Sequence, residues 1–362
     1  MIARTMPFIK DSSSYGRTIL SRRNETMDIA KRLGFIKPDD VKLLNASSRK
    51  VAAIFNGSVK IYNDIMRFYV RIVIGYYKYV SAIASIELDA SYVLSGFKEL
   101  DRTIDARVEI MPDSWIDLWG AEDPRFSVVD GRDVIIYTGR TLAYFTAKEY
   151  TPGRTFPVIA VSDNGKWKKA SYIALPHGFE ALIQSDKDAF IMESGYGDYI
   201  VFHRPNEVSG KYYVLISTAK ELPRDSNLAP LVLEESWRVI DNAPFEEKIG
   251  WGPTAIQLSR GSYLALLHGV EAKTQVYRVF AVIVERDGRS HYRIGAVTPF
   301  YIMEPRSPEE IYGDRPMVVF PCGNVIVDDK LIVTYGAADT AFGIAEIDLS
   351  ELLHILDNNR IE

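Results

Sequence analysis

The sequence predicts an all-β chain folded as a five-bladed β-propeller, and three observations carry that expectation. Aromatic residues make up 12% of the 362 positions, 21 of them Tyr, and the apolar runs are short, alternating and bounded by Gly, Asp and Asn, which is strand chemistry with period two. A segment made of a polar turn, four or five alternating apolar residues and a polar end recurs five times, with its turns starting at 64, 131, 197, 261 and 329, spacings of 67, 66, 64 and 68 residues. A shorter strand precedes each copy in phase, beginning near Asn56, Asp123, Asp188, Pro253 and Gly323. Five units of this length each have room for four strands, which is propeller arithmetic; a sandwich or jelly roll gives no five matched units.

In chain order the five copies are Asn63 to Arg71, Gly131 to Arg140, Gly197 to Arg204, Gly261 to His268 and Asp329 to Tyr335. Helical pattern is confined to the ends: Thr26 to Leu33, and Ser350 to Leu356, where Ser350 is placed to cap and Glu351 falls in the first turn. The expected organisation is an N-terminal, partly helical extension over residues 1–48 and a propeller over 49–362. The extension is read either as an arm that packs on a neighbouring subunit of a homo-oligomer or as a plain lid or cap.

Composition narrows the function. Lys and Arg number 43 against 48 Asp and Glu, so the net charge of -5 offers no global basic field for nucleic acid or anionic lipid. The longest apolar stretch, Val70 to Ala84, is interrupted by Arg71 and Lys78, and Met1 to Thr5 has no apolar core after its charge, so neither a membrane helix nor a leader is expected. A single cysteine, Cys322, points to the cytoplasm and to a structural role for that thiol. His177, His203, His268, His291 and His354 include no pair at ligand spacing, and no Walker loop, dinucleotide fingerprint or G-x-S-x-G occurs, so no metal or organic cofactor is expected.

The starts of the inner strands and the ends of the next strands of a propeller converge on one mouth of its axis. That phase gathers Asn56, Arg71, Asp123, Lys187, Asp188, Arg204, His268 and Asp339 from all five units. Carboxylates beside a cationic pocket suit glycosidic bond cleavage, which needs a proton for the leaving oxygen and attack from the opposite face. If Lys187, Arg204 and Lys248 hold one oxyanion, inorganic phosphate is the natural co-substrate.

The motifs Glu122-Asp123-Pro124-Arg125-Phe126, Lys187-Asp188-Ala189, His203-Arg204-Pro205, Lys248 to Pro253, His268-Gly269-Val270, Tyr277-Arg278, Phe320-Pro321-Cys322-Gly323 and Tyr335 to Thr340 resemble, in that order, those of glycoside hydrolase family 130, which holds the β-mannoside phosphorylases. The resemblance spans about Lys50 to Leu353. It implies a five-bladed propeller that cleaves a β-mannoside with phosphate and inversion, giving α-mannose 1-phosphate. Asp123 matches the general acid, acting through a substrate hydroxyl. Lys187, Arg204, Lys248, His268 and Tyr277 match phosphate-holding positions, and Asn56, Arg71 and Asp339 resemble sugar-contacting ones; Asp188 is grouped with them as substrate-binding. Phe55-Asn56-Gly57-Ser58-Val59 departs from the family's Phe-Asn-Pro-Gly-Ala, and Pro253-Thr254 from its paired prolines, both beside the sugar subsites. Two rivals stand: an inverting hydrolase whose water is activated by Asp188 or Glu193, and a non-catalytic sugar-binding propeller. Trp251 and Tyr312 are read as sugar-stacking or packing aromatics.

Overall fold

Residues 8–97, 100, 102–146, 152–176, 179–222, 227–288 and 291–361 are described by a computed structural model. Met1 and His177 fall outside them. The described chain is mostly β, in sheets of ten, five, four and five strands, and antiparallel pairing groups most of these strands into five quartets, two of them joined in the largest sheet. The first contains Ala53–Tyr62, Ile65–Gly75, Val80–Asp89 and Ile104–Ile110. The second contains Ala121–Val129, Arg132–Arg140, Thr155–Asp163 and Lys166–Ala174. Ile183–Glu193, Tyr199–Glu207, Val214–Ala219 and Ser236–Ile240 form the third. In the fourth the first strand is in two pieces, Glu246–Trp251 and Ile256–Ser259, which pair with successive stretches of Ser262–Glu271, followed by Tyr277–Asp287 and His291–Val297. The fifth joins Val319–Val327, Lys330–Ala337 and Ala341–Asp348 to Lys31–Ile36 from the other end of the chain.

Each quartet buries both faces, so apolar residues must meet a neighbour on either side. Tyr69, Ile83 and Ile110 of the first pack with Ile135, Tyr137 and Val158 of the second. Further cores join second to third, third to fourth and fourth to fifth. Ile332, Phe342 and Ile344 of the fifth then pack back on Phe68, Val70 and Ile72 of the first. A single parallel pair, Thr155 with Ser185, stitches the second quartet to the third.

Thr26 to Leu33 is not helical. Lys31–Ile36 is a strand, with Leu33, Phe35 and Ile36 buried. The open edge of Ala341–Asp348 needs a partner, and covering it outweighs a weak local helical preference. At the other end the helix Leu349–Asp357 forms, but its cap is Asp348, whose carboxylate accepts the Glu351 N–H at 3.1 Å, and Ser350 sits inside the first turn. Residues 9–48 pack on their own chain: Ile9–Asp11 adds in parallel to Ser236–Ile240, and Val41–Leu43 to Ile104–Ile110. Among the described residues no helix is long and apolar enough to cross a membrane.

Candidate active site

The phased positions Asn56, Asp123 and Asp188 lie inside the innermost strands rather than at their starts. Each marks a β-bulge, with the register slipping between Phe55 and Gly57, Glu122 and Arg125, and Lys187 and Phe190. Their φ angles are 45°, 54° and 54°, a left-handed backbone that Asn and Asp tolerate better than other side chains. A bulge re-aims its side chain, and here the three point to common ground. Asn56 Nδ2 donates to Asp123 Oδ1 at 2.8 Å across 67 residues of sequence. The fifth inner strand slips between Pro321 and Gly323, at Cys322, whose buried thiol is pushed well above its ordinary range by desolvation and is therefore inert.

The second strand of each quartet brings a polar group to the same end. Arg71 Nη1 donates to Asp123 Oδ1 at 3.1 Å and Nη2 to Glu122 Oε1 at 2.5 Å. Arg140 Nη1 lies 3.3 Å from Glu122 Oε1, and Lys187 Nζ 3.7 Å from Glu122 Oε2. Burial works to raise the Glu122 carboxyl, but Arg71, Lys187 and Arg140 together hold it below the usual range. Asp339, in a left-handed turn after Lys330–Ala337, is pushed up to about 6, first by burial and then by the Asp123 and Asp314 charges, against Arg71 and Arg315.

On the other flank Arg204 Nε donates to Asp188 Oδ2 at 2.5 Å, and Arg125 Nη2 reaches Asp188 Oδ1 at 3.5 Å. Burial opposes ionisation of Asp188, yet Arg204, His268 and Arg125 outweigh it and keep the carboxyl well below the carboxylate range. Lys248 forms no ion pair among the described residues. Its ammonium lies 5.7 Å from the Tyr277 ring, and the Arg315 guanidinium 4.6 Å from the same ring. Burial, with Arg204 and Arg315, lowers Lys248 to about 8, while burial raises Tyr277 to about 12. His268 stacks on Tyr277 at 5.8 Å, and burial, aided by Arg204 and Lys248, lowers it to about 3. Burial thus works against a charge on this ring, and its Nδ1 is buried with no partner among the described residues.

Arg125 bridges the two flanks, donating from Nη1 to the Asp123 carbonyl at 3.0 Å, from Nε to Gly252 O at 2.6 Å and from Nη2 to Trp251 O at 3.1 Å. All ten residues singled out from sequence therefore fall at one end, in two adjoining groups: Asn56, Arg71, Asp123, Lys187 and Asp339 on one flank, Asp188, Arg204, Lys248, His268 and Tyr277 on the other. Lys187 pairs across the strands with Arg204 and also comes within 3.7 Å of Glu122, so it stands between the two groups. Glu193 does not join them: it is exposed and accepts the Asp130 N–H at 2.7 Å. Trp251 is fully buried against Phe190 and Phe202, so it packs the interior, whereas Tyr312 is 75% exposed. Sequence reasoning missed Arg140, Glu122 and Arg315. Arg140 was legible, because it ends the second copy of the repeat as Arg71 and Arg204 end the first and third. Behind the site His203 is bonded through Nδ1 to Asp186 at 2.7 Å and through Nε2 to Ser217 at 2.8 Å, tying the two strands that carry Asp188 and Arg204.

The sequence profile of glycoside hydrolase family 130, described as beta-1,4-mannooligosaccharide phosphorylase, matches residues 20–358. The chain belongs to that family. It is 29% identical over 231 residues to the beta-1,2-mannobiose phosphorylase of Thermoanaerobacter sp. (strain X514), covering 64% of this chain and 67% of the relative. To the 1,2-beta-oligomannan phosphorylase of the same organism it is 26% identical over 311 residues, 83% of this chain and 92% of the relative. Among solved structures, the Listeria innocua beta-1,2-mannobiose phosphorylase in complex with beta-1,2-mannobiose superposes with a TM-score of 0.69 at 20% identity, covering 91% of this chain and 99% of that one. The fold is thus that of the family.

Proposed function

We propose that the protein is a β-mannoside phosphorylase, which transfers a mannosyl unit from a β-mannoside to inorganic phosphate with inversion, reversibly. One observation supports this above the others. Arg204, Lys248 and Arg315 gather about Tyr277, with Asp188 bonded to Arg204, a cationic nest that lowers Lys248 to about 8 and is suited to an anion. In this reading a phosphate oxygen attacks the anomeric carbon from that side while the glycosidic C–O bond breaks. The proton from Asp123 passes through a sugar hydroxyl to the leaving oxygen, Asn56 and Arg71 fix the Asp123 carboxylate, and Asp339 accepts from the sugar. Asp188 makes a poor base for a hydrolytic water, since Arg204 and Arg125 hold it ionised and occupied.

We read the five quartets as the blades of a five-bladed propeller, residues 49–362 as the catalytic domain with Lys31–Ile36 closing its fifth blade, and the rest of the preceding segment as a strap over its rim. The lone, buried Cys322 supports a reducing cytoplasm.

The test is a panel of β-1,2- and β-1,4-mannosides assayed with and without phosphate, in wild type and Asp123→Asn. Wild type is expected to release α-mannose 1-phosphate in proportion to phosphate occupancy, and Asp123→Asn to bind mannoside while turnover falls by about 10²- to 10⁴-fold. Free mannose released at a rate indifferent to phosphate would hand the site to the hydrolase reading.

A further inference from the structure

We infer that the loop Tyr76 to Tyr79, with Trp119 and Phe145, is a carbohydrate platform that takes mannosyl units beyond the cleaved bond, so that the enzyme favours oligosaccharides over the disaccharide. The inference rests on the phosphorylase reading of the adjoining site. The strand that carries Arg71 runs directly into this loop, where Tyr76 and Tyr77 are 81% and 77% exposed. Water-facing rings in such number are unusual on a surface with no use for them. Lys78 and Tyr79 both adopt left-handed backbone, φ 58° and 53°, a strain that persists only where surrounding structure enforces it.

The enforcing group is Arg140. Its Nη1 donates to the carbonyls of Lys78 and Tyr79, each at 3.3 Å, and lies 3.3 Å from Glu122, the neighbour of Asp123 in sequence. Tyr79 Oη donates to Asp314 at 2.8 Å, tying the loop to the segment that carries Arg315. The Lys78 ammonium sits 4.1 Å from the Phe145 ring, 5.1 Å from Trp119 and 5.5 Å from Tyr77, which gathers three rings around one charge. The rings are held in place before any ligand arrives, and the apolar C–H face of a pyranose suits them.

Direction supplies the occupant. Inverting displacement sets nucleophile and leaving group on opposite faces of the anomeric carbon. With phosphate between Arg204 and Lys248, the leaving saccharide extends across Asp123 and Arg140 toward this loop.

The experiment compares wild type, Tyr77→Ala and Tyr77→Phe on β-mannooligosaccharides of two to five units in the linkage that wild type turns over. Tyr77→Ala is expected to raise KM for the trisaccharide and longer by about 5- to 10-fold, leaving kcat and the disaccharide KM nearly unchanged, with Tyr77→Phe close to wild type. Equal constants at every length, or a loss shared by the disaccharide, would overturn the platform. Should wild type make no mannose 1-phosphate from any mannoside, the activity reading is what has failed, and the platform is judged by calorimetric titration with β-1,2- and β-1,4-mannotetraose: binding lost in Tyr77→Ala upholds it, and binding that is absent from wild type or unchanged in the variant overturns it.

Discussion

Lys248 shows how one residue carries information that its type alone does not. Desolvation and two neighbouring guanidinium groups lower it to about 8, so its charge, and with it the pull on a phosphate dianion, fades just above neutrality. The expected outcome is a KM, expressed per phosphate dianion, that is flat below pH 8 and then climbs, approaching tenfold per pH unit, while Lys248→Arg, which keeps its charge, flattens that limb. Steady-state phosphorolysis from pH 6 to 9.5 checks it; a rise shared by both proteins would exclude Lys248. Asp339 makes the complementary case. It is raised to about 6, chiefly by burial, with the Asp123 charge adding. The unfolded chain releases this proton near 4 and the fold only near 6, so the contribution to stability is present below pH 4 and lost as pH rises through 6. Asp339→Asn avoids that loss. It should unfold at higher denaturant above pH 6, by roughly 2 kcal/mol once the part of Asp339 open to solvent is discounted, and the gain should vanish near pH 4 even as turnover falls.

At the scale of elements, the site is built by defects in otherwise regular strands. Asn56, Asp123 and Asp188 each occupy a bulge whose left-handed backbone turns a short polar side chain toward the centre. The strand Glu246–Trp251 contributes an absence as well as the Lys248 ammonium. A Cβ on Gly250 would overlap Asp188 Oδ2 and the His268 ring and come within 2.9 Å of Arg204 Nε, so only glycine lets the backbone pass beneath the cationic flank. Gly250→Ala is therefore expected to weaken phosphate binding by at least about tenfold and to destabilise the fold by about 1–3 kcal/mol. Gly75→Ala, where an added Cβ meets nothing within 4 Å, should change stability by less than about 0.5 kcal/mol. Phosphate titration and urea unfolding of the two variants decide the matter; equal effects would mean the close approach is not what Gly250 provides.

At the scale of the whole molecule, the ends of the chain hold the ring of cores together. Lys31–Ile36 completes the sheet begun by Val319–Val327, and the segment leading to it is pinned by Arg22. That guanidinium reaches both Glu246 oxygens at 2.7 and 2.6 Å, lies 3.6 Å from the Phe280 ring, and leaves the pair with 1% and 0% of side-chain surface exposed. Removing one partner strands a buried charge, so Arg22→Ala should cost about 3–5 kcal/mol in chemical unfolding. Glu246 also accepts from Tyr301 at 2.6 Å and opens the strand that holds Lys248, so the variant should lose phosphate affinity as well. An unchanged midpoint would show that the arm is an ornament of the ring rather than its clasp.

Sequence by itself determined the strand period, the fivefold recurrence and the family, because alternation and turn chemistry are local and a repeat of near-constant length survives in the linear chain. The same phase picked out Asn56, Arg71, Asp123, Asp188, Arg204, His268 and Asp339 before any fold was seen. Only tertiary structure decided what depends on distant neighbours. Lys31 to Leu33, the end of the segment read as helical, became part of a strand because an edge more than 300 residues away needed a partner. Burial works against a charge on His268, and Lys187, cross-strand from Arg204, also reaches Glu122, because charge and pairing are set by burial and by groups from other quartets. Trp251 turned inward for the same reason: a side chain's partners are fixed by packing, which the order of residues along the chain does not encode locally.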